Sequence, residues 1–180
     1  MTGARVLLLA AGRGRRAGGP KAWRTYGGKT LLEAQLEFFG ALVGPAGLSV
    51  AIQEDWRSRC DGSSPETVWV AADPDASPLD SLQRLIAASP AVRSFVLHVD
   101  MPIFERAVYE SLRAAPGDVV VPTFGGRRGH PVLLSPQAQK EVCGLDPAKD
   151  RLDEWLRRRG AVEVSVATAA IHRNLNEPAS

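Results

Sequence analysis

The run Val6-Leu7-Leu8-Leu9 carries no polar side chain and passes through Ala10-Ala11 straight into Gly12-Arg13-Gly14-Arg15-Arg16. A short, continuous apolar stretch that stops at glycines and cations reads as a buried strand feeding a loop. Similar runs, rich in apolar and β-branched residues, predict further strands over 48–52, 67–71, 94–99, 118–121, 131–134 and 162–167. Between them the apolar spacing turns helical. A helix is expected from a Thr30 cap to about residue 43, stopped by Gly44-Pro45. Others are expected over 79–88 behind Ser77-Pro78, and over 104–114, 136–142 and 150–158, with a short helix plus loop over 54–65. Strand alternating with helix means an α/β domain whose sheet is largely parallel and whose crossovers are right-handed. In such sheets ligands gather where loops leave the carboxyl ends of strands. Two of those ends are chemically distinctive here: the loop after Leu9, and Asp100-Met101-Pro102 after the strand at 94–99.

The loop over residues 12–28 holds six glycines, one proline and five cationic side chains. Glycines let backbone approach phosphate oxygens, and successive N–H groups make an anion nest. Arginine forks match phosphate geometry, and lysine supplies a mobile point charge. A flexible, solvated basic loop is the plainer alternative. Gly12-Arg13-Gly14-Arg15-Arg16-Ala17 also fits a dinucleotide fingerprint, but Pro20 would fall inside the helix that motif requires. The acidic residue due after the second strand has only Gln53 and Glu54 as candidates. Gly28-Lys29-Thr30 ends like a Walker A loop, but the leading glycine would have to stand at Trp23.

Bulk properties narrow the class further. The chain has 180 residues, enough for one domain with a proper core. A net charge of +2 is too small to imply a nucleic-acid partner. Cys60 and Cys143 lack the spacing of a zinc site or a disulfide framework. The opening apolar run is too short for a secretory core, and nothing approaches bilayer-spanning length. A cytoplasmic location with no membrane partner is expected.

The segment Leu9-Ala10-Ala11-Gly12-Arg13-Gly14-Arg15-Arg16-Ala17-Gly18-Gly19-Pro20-Lys21 resembles the L-A-A/G-G-x-S-x-R-M-G-x-x-K signature of the molybdenum cofactor nucleotidyltransferases, relatives of the sugar-phosphate and terpenoid cytidylyltransferases. Gly28-Lys29-Thr30-Leu31-Leu32-Glu33 is similar to their G-K-P-L-L-E. Gly14 stands for the usual serine and Ala17 for the usual methionine. The resemblance implies a single three-layer α/β/α Rossmann-like domain over residues 1–180, with a nucleotide-binding half to about residue 105 and an acceptor-binding half after it. It also implies that Leu9, Ala10, Ala11, Gly12, Arg13 and Gly14 contact the nucleotide, and that Arg16 and Lys21 hold the triphosphate. His98-Val99-Asp100-Met101-Pro102 looks like the family's D-M-P segment, which makes Asp100 a Mg2+ ligand. Magnesium takes hard oxygen donors and needs only one or two carboxylates beside substrate phosphate. Capping the following helix is the other role open to that aspartate. His98 alternates with Leu97 and Val99 and reads as a core or cleft histidine rather than a catalytic base.

Asp73 to Leu82 is loosely similar to a segment that approaches base and ribose, from which Ser81 alone carries over. Gly125-Gly126-Arg127-Arg128-Gly129-His130-Pro131 resembles the G-x-x-G-H-P segment of the cytidylyl branch and suggests His130, Arg127 and Arg128 as acceptor contacts. A solvated hairpin is the alternative. Asn174-Leu175-Asn176 is similar to an N-I-N ending that implies a second metal contact, with Asn176 ahead of Asn174. The expected function is Mg2+-dependent transfer of a nucleoside monophosphate, CMP before GMP, from a nucleoside triphosphate to a small phosphorylated acceptor such as molybdopterin. Lys21, Arg16 and Asp100 are the expected catalytic groups. The state is expected to be a monomer or small homo-oligomer. The rivals are a cytidylyl- or uridylyltransferase acting on a sugar or alditol phosphate, and a nucleotide-binding accessory protein without chemistry.

Overall fold

The computed structural model describes residues 3–14, 19–60 and 64–175. Its strands are β1 (Ala4–Leu9), β2 (Thr25–Tyr26), β3 (Lys29–Thr30), β4 (Leu48–Ile52), β5 (Val68–Ala71), β6 (Arg93–His98), β7 (Val119–Phe124), β8 (Arg127–Arg128), β9 (Val132–Leu134) and β10 (Val162–Ser165). The helices are α1 (Leu31–Val43), α2 (Pro78–Ala87), α3 (Arg106–Ala114), α4 (Pro136–Cys143) and α5 (Leu152–Arg159).

Among the described residues the main sheet runs β10-β7-β9-β6-β1-β4-β5, with β8 added on β7. β6, β1, β4 and β5 are parallel, and β7 pairs with β10 in parallel. β9 runs antiparallel between β6 and β7. The chain reaches β9 from β7 through the short β7–β8 hairpin, which can only reverse direction, whereas a parallel neighbour needs a crossover. β1 sits where the order reverses: β4 and β5 extend from one side of it, and β6 returns on the other.

Each residue of β1 is buried, and successive side chains point to opposite faces. Val6 and Leu8 join Phe39 and Leu42 of α1 and Tyr109 and Leu112 of α3. Leu7 and Leu9 join Leu82 and Leu85 of α2, Ala138 and Val142 of α4, and Trp155 of α5. The result is a three-layer α/β/α arrangement with a mostly parallel sheet, as the sequence predicts.

Helix starts follow from capping chemistry. Thr30 accepts from the Glu33 backbone N–H, and the Glu33 carboxylate accepts from the Thr30 N–H. That reciprocal box satisfies two of the donors a helix start leaves open. Ser77-Pro78 and Ser135-Pro136 repeat one device at α2 and α4: the serine side chain caps and proline takes the first helical position. Some predicted boundaries move: the strand expected over 118–121 continues to Phe124, and the one expected over 162–167 ends at Ser165. A small antiparallel pair, β2–β3, also folds where the stretch read as loop meets the Thr30 cap. Two-residue strands are too short to leave a periodic signal. No helix among the described residues is long and apolar enough to cross a membrane.

Candidate active site

Parallel pairing sets Leu9 beside His98, and the Val99 N–H donates to the Leu9 carbonyl at 2.9 Å. The glycine loop and Asp100 therefore leave the sheet as neighbours, although 79 residues separate Lys21 from Asp100. Two glutamines pin these ends. Gln53 Nε2 donates to the Ala11 carbonyl at 2.7 Å, and the fully buried Gln35 donates to the Val99 carbonyl at 2.5 Å. The chain after Asp100 is held by Phe104, whose ring packs against Tyr26 and Phe38 at centroid distances of 5.6 and 5.3 Å. The Asp100 carbonyl accepts from the Leu175 N–H at 2.8 Å, and Arg24 donates to the Leu175 carbonyl, also at 2.8 Å. These contacts bring the C-terminal segment to the same strand end.

Lys21 opens a 3-10 turn whose Ala22 is buried and whose Trp23 packs edge-on against Trp56. That anchoring delivers the Lys21 ammonium to 2.5 Å from Asp100 Oδ2, with both side chains largely shielded from solvent. Asp100 Oδ1 is buried with no hydrogen-bond partner. A buried carboxylate oxygen without a partner is costly unless something charged meets it. No group of three or more His, Cys, Asp or Glu among the described residues forms a cage for a metal. One carboxylate with a spare oxygen fits a magnesium-type ion that takes its remaining ligands from water and phosphate.

The loop geometry accounts for Gly14. Its φ is +61°, the Gly19 N–H returns to its carbonyl, and a Cβ there would lie 1.9 Å from the Gly19 oxygen. The serine usual at this place in the related signature cannot stand in this chain without moving that backbone. Arg15, Arg16 and Ala17, like Asn176, lie outside the described residues.

Two cavities flank His98. The smaller, about 150 Å³, is lined by Leu9, Ala11, Gly12 and Ser81 together with Pro78 and His98. Four of the expected nucleotide contacts thus share one wall. Ala10 faces the opposite core, and its N–H bonds the Ala51 carbonyl. Arg13 reaches away as well and forms a two-pronged, exposed pair with Asp75 at 3.0 and 2.7 Å. The larger cavity, about 410 Å³, lies beside Met101 between α2 and α5 and contains both His98 and His130. Burial pushes the His130 imidazole down to about 4, with the neighbouring His98 adding to the effect and Asp100 opposing it. Burial also lowers His98. Both imidazoles are therefore neutral near pH 7.

The acceptor residues named from sequence divide. His130 faces the larger cavity. Gly129 before it must be glycine, since a Cβ would meet the Ile171 carbonyl at 2.5 Å. Arg127 and Arg128 are exposed on β8; the Arg128 guanidinium pairs with Glu163 at 2.7 Å, and the Arg127 carbonyl meets His172. Asn174 is exposed next to the pinned Leu175. Sequence reasoning overlooked Gln35, Gln53 and the start of α5. A glutamine in the apolar stripe of α1 was the one local signal, because a buried amide needs a partner.

A glycine-rich turn beside a largely shielded lysine–aspartate pair, at the reversal point of a mostly parallel sheet, marks an α/β domain with a ligand site at its strand ends. Residues 6–164 match the family model of the MobA-like NTP transferase domain, and the chain belongs to that family. A 2-C-methyl-D-erythritol 4-phosphate cytidylyltransferase of Cereibacter sphaeroides is 35% identical over 91 residues, covering 46% of this chain. The match spans 40% of that relative's length. Among solved structures, the molybdopterin-guanine dinucleotide biosynthesis protein A of Archaeoglobus fulgidus superposes with a TM-score of 0.67 at 19% identity, covering 92% of this chain and 83% of the other. Rv0371C of Mycobacterium tuberculosis, in complex with manganese, gives 0.66 at 20% identity over 91% and 88% of the two chains. At these identities the two structures speak for the shared fold.

Proposed function

We propose that this chain is a nucleotidyltransferase that moves a nucleoside monophosphate from a metal-bound nucleoside triphosphate to a phosphorylated acceptor. The observation that carries the reading is the Lys21–Asp100 contact: a cation and a carboxylate with one spare buried oxygen, shielded together beside the glycine loop. In the reaction an acceptor phosphate oxygen attacks the α-phosphorus, the bond to the bridging oxygen breaks, and pyrophosphate leaves. The acceptor is already anionic, so no general base is required. What the protein contributes is positioning and charge neutralisation.

Lys21, with Arg16 from the same loop, offsets charge building on the leaving phosphates. Asp100 would hold the divalent ion, with Asn174, next to the pinned Leu175, and Asn176, which lies outside the described residues, as further candidates. Bound there, the ion would polarise phosphate oxygens and neutralise their charge. The manganese complex of the Mycobacterium neighbour supports a divalent metal, and Mg2+ is the ion proposed. The compact cavity on Leu9, Ala11, Gly12 and Ser81 favours a single-ring base, which supports CTP ahead of GTP. Residues 1–105 supply that nucleotide half, and His130 after them faces the acceptor. Molybdopterin is the acceptor that the Archaeoglobus neighbour suggests. The Cereibacter relatives favour a second reading, cytidylyl transfer to an alditol phosphate.

Asp100→Ala and Lys21→Ala are the test. Each removes one preorganised contact, worth about 3 kcal/mol of barrier or roughly a hundredfold in turnover. Pyrophosphate release at the wild-type rate from either folded variant would refute the assignment.

A further inference from the structure

Lys21 half fills the place that a metal would take on Asp100. Its ammonium stands 2.5 Å from Oδ2, both side chains are largely shielded, and Oδ1 is buried with no hydrogen-bond partner. The lysine thus neutralises the carboxylate but leaves one oxygen unmet, which is costly in a buried site. A divalent ion arriving at that oxygen would face the ammonium where solvent screens poorly, and there like charges repel far more than in water. The carboxylate cannot keep both cations.

The two partners differ in how freely they can part. Asp100 is fixed on both sides of its backbone. The Val99 N–H donates to the Leu9 carbonyl, Gln35 donates to the Val99 carbonyl, the Met101 N–H donates to the His98 carbonyl at 3.0 Å, and the Asp100 carbonyl accepts from Leu175. Lys21 is anchored through its turn: the Trp23 N–H donates to the Pro20 carbonyl and the Arg24 N–H to the Lys21 carbonyl, both at 3.2 Å, while Ala22 is buried. Beyond that anchor runs a flexible four-carbon stem, so the ammonium can swing while the turn stays in place.

Resting on the transferase reading above, we propose that Lys21 holds the metal's place on Asp100 until a metal-chelated triphosphate arrives, and that this ligand enters by exchanging both partners together. The triphosphate gives the ammonium a new anion as the ion takes the carboxylate. Metal alone offers Lys21 nothing, and triphosphate alone offers Asp100 nothing, so either by itself must break the pair without replacing it. The pair therefore selects chelated nucleotide over bare metal and over metal-free polyphosphate.

Variants that lose activity should then gain affinity for one half of the ligand. Mn2+ binding without nucleotide is read from the loss of the free ion's electron paramagnetic resonance signal. Lys21→Met should bind Mn2+ about tenfold more tightly than wild type, the low end of the coupling between close charge pairs. Lys21→Arg keeps a cation and should stay near wild type, and adding Asp100→Asn to Lys21→Met should abolish the gain. Lys29→Met removes a cation paired with Glu37 in the open and should change nothing, which separates local displacement from overall charge. Metal-free inorganic triphosphate, titrated by calorimetry in chelator-treated buffer, should bind Asp100→Asn about tenfold more tightly than wild type. Lys21→Gln serves if the methionine variant melts far below wild type. A Mn2+ affinity that does not rise in Lys21→Met, or that Lys21→Arg or Lys29→Met raises equally, overturns the proposal, as does triphosphate binding no tighter in Asp100→Asn. If no acceptor yields pyrophosphate from CTP, GTP, UTP or ATP, yet both gains are seen, the transferase reading fails and the cation exchange stands.

Discussion

Lowering the pH should cost this protein stability through one imidazole. The His130 ring has a folded value of about 4 against an ordinary 6.5, mainly because burial disfavours the charged form. Between those values the unfolded chain binds a proton that the folded chain refuses. Stability is therefore complete above about pH 6.5, falls as pH drops toward 4, and loses nothing further from this group below that. At about 1.4 kcal/mol per pH unit the depression is worth roughly 3 kcal/mol, an upper figure because the ring is not wholly sealed from solvent. His130→Gln keeps a polar side chain and abolishes the titration. Urea unfolding at intervals from pH 7 to pH 4, in chelator-treated buffer, measures the stability of both proteins. The wild-type curve should fall by about 2–3 kcal/mol more than that of the variant. Glu33 and Asp153, whose carboxyls are held below their ordinary values, first by bonds from Thr30 and Arg151 respectively, lose their contribution only at lower pH and equally in both proteins. His98, also lowered by burial, titrates in both as well, so the difference reports the ring at residue 130 together with its coupling to His98. Parallel curves would show that the ring is not buried as described.

Two further outcomes follow from local geometry. Gly14→Ala puts a methyl group where the Gly19 carbonyl lies and forces a positive φ on a residue with a Cβ, a local strain of about 1–3 kcal/mol. Because this strain sits in the loop proposed to hold the nucleotide, it should appear as roughly tenfold weaker nucleotide binding in a fluorescence titration, with little change in melting temperature; unchanged affinity would contradict that proposal. Thr30→Ala removes the side-chain half of the capping box on α1 and should lower stability by about 1 kcal/mol in chemical denaturation, whereas no loss would mean the cap is made by something else.

Much of this architecture is written locally. Thr30 with Glu33, Ser77-Pro78, Ser135-Pro136 and Gly44-Pro45 mark helix ends by short-range hydrogen bonding and ring constraint, so α1, α2 and α4 can be read within a residue or two. The glycine loop and Asp100 stood out in the sequence as separate candidates, one for binding phosphate and one for binding a metal. Partner strands, by contrast, are chosen across long separations, so neither β9's reversed direction nor the β2–β3 pair left a readable mark. Arg13 and Ser81 make the same point in opposite directions. Both were plausible nucleotide contacts by sequence, and the fold turns Arg13 onto Asp75 while it sets Ser81 in the cavity wall with Ala11.

The sequence by itself determined the alternation of buried strands and amphipathic helices, the helix caps, and the kinds of side chain available for binding phosphate and metal, because those depend on spacing and residue type. Only the tertiary structure decided that β6 returns beside β1. That return brings the Lys21 ammonium onto the Asp100 carboxylate and opens an aliphatic cavity between α2 and α5. The physical reason is that burying both faces of one sheet selects the strand order, and the strand order sets which loops meet.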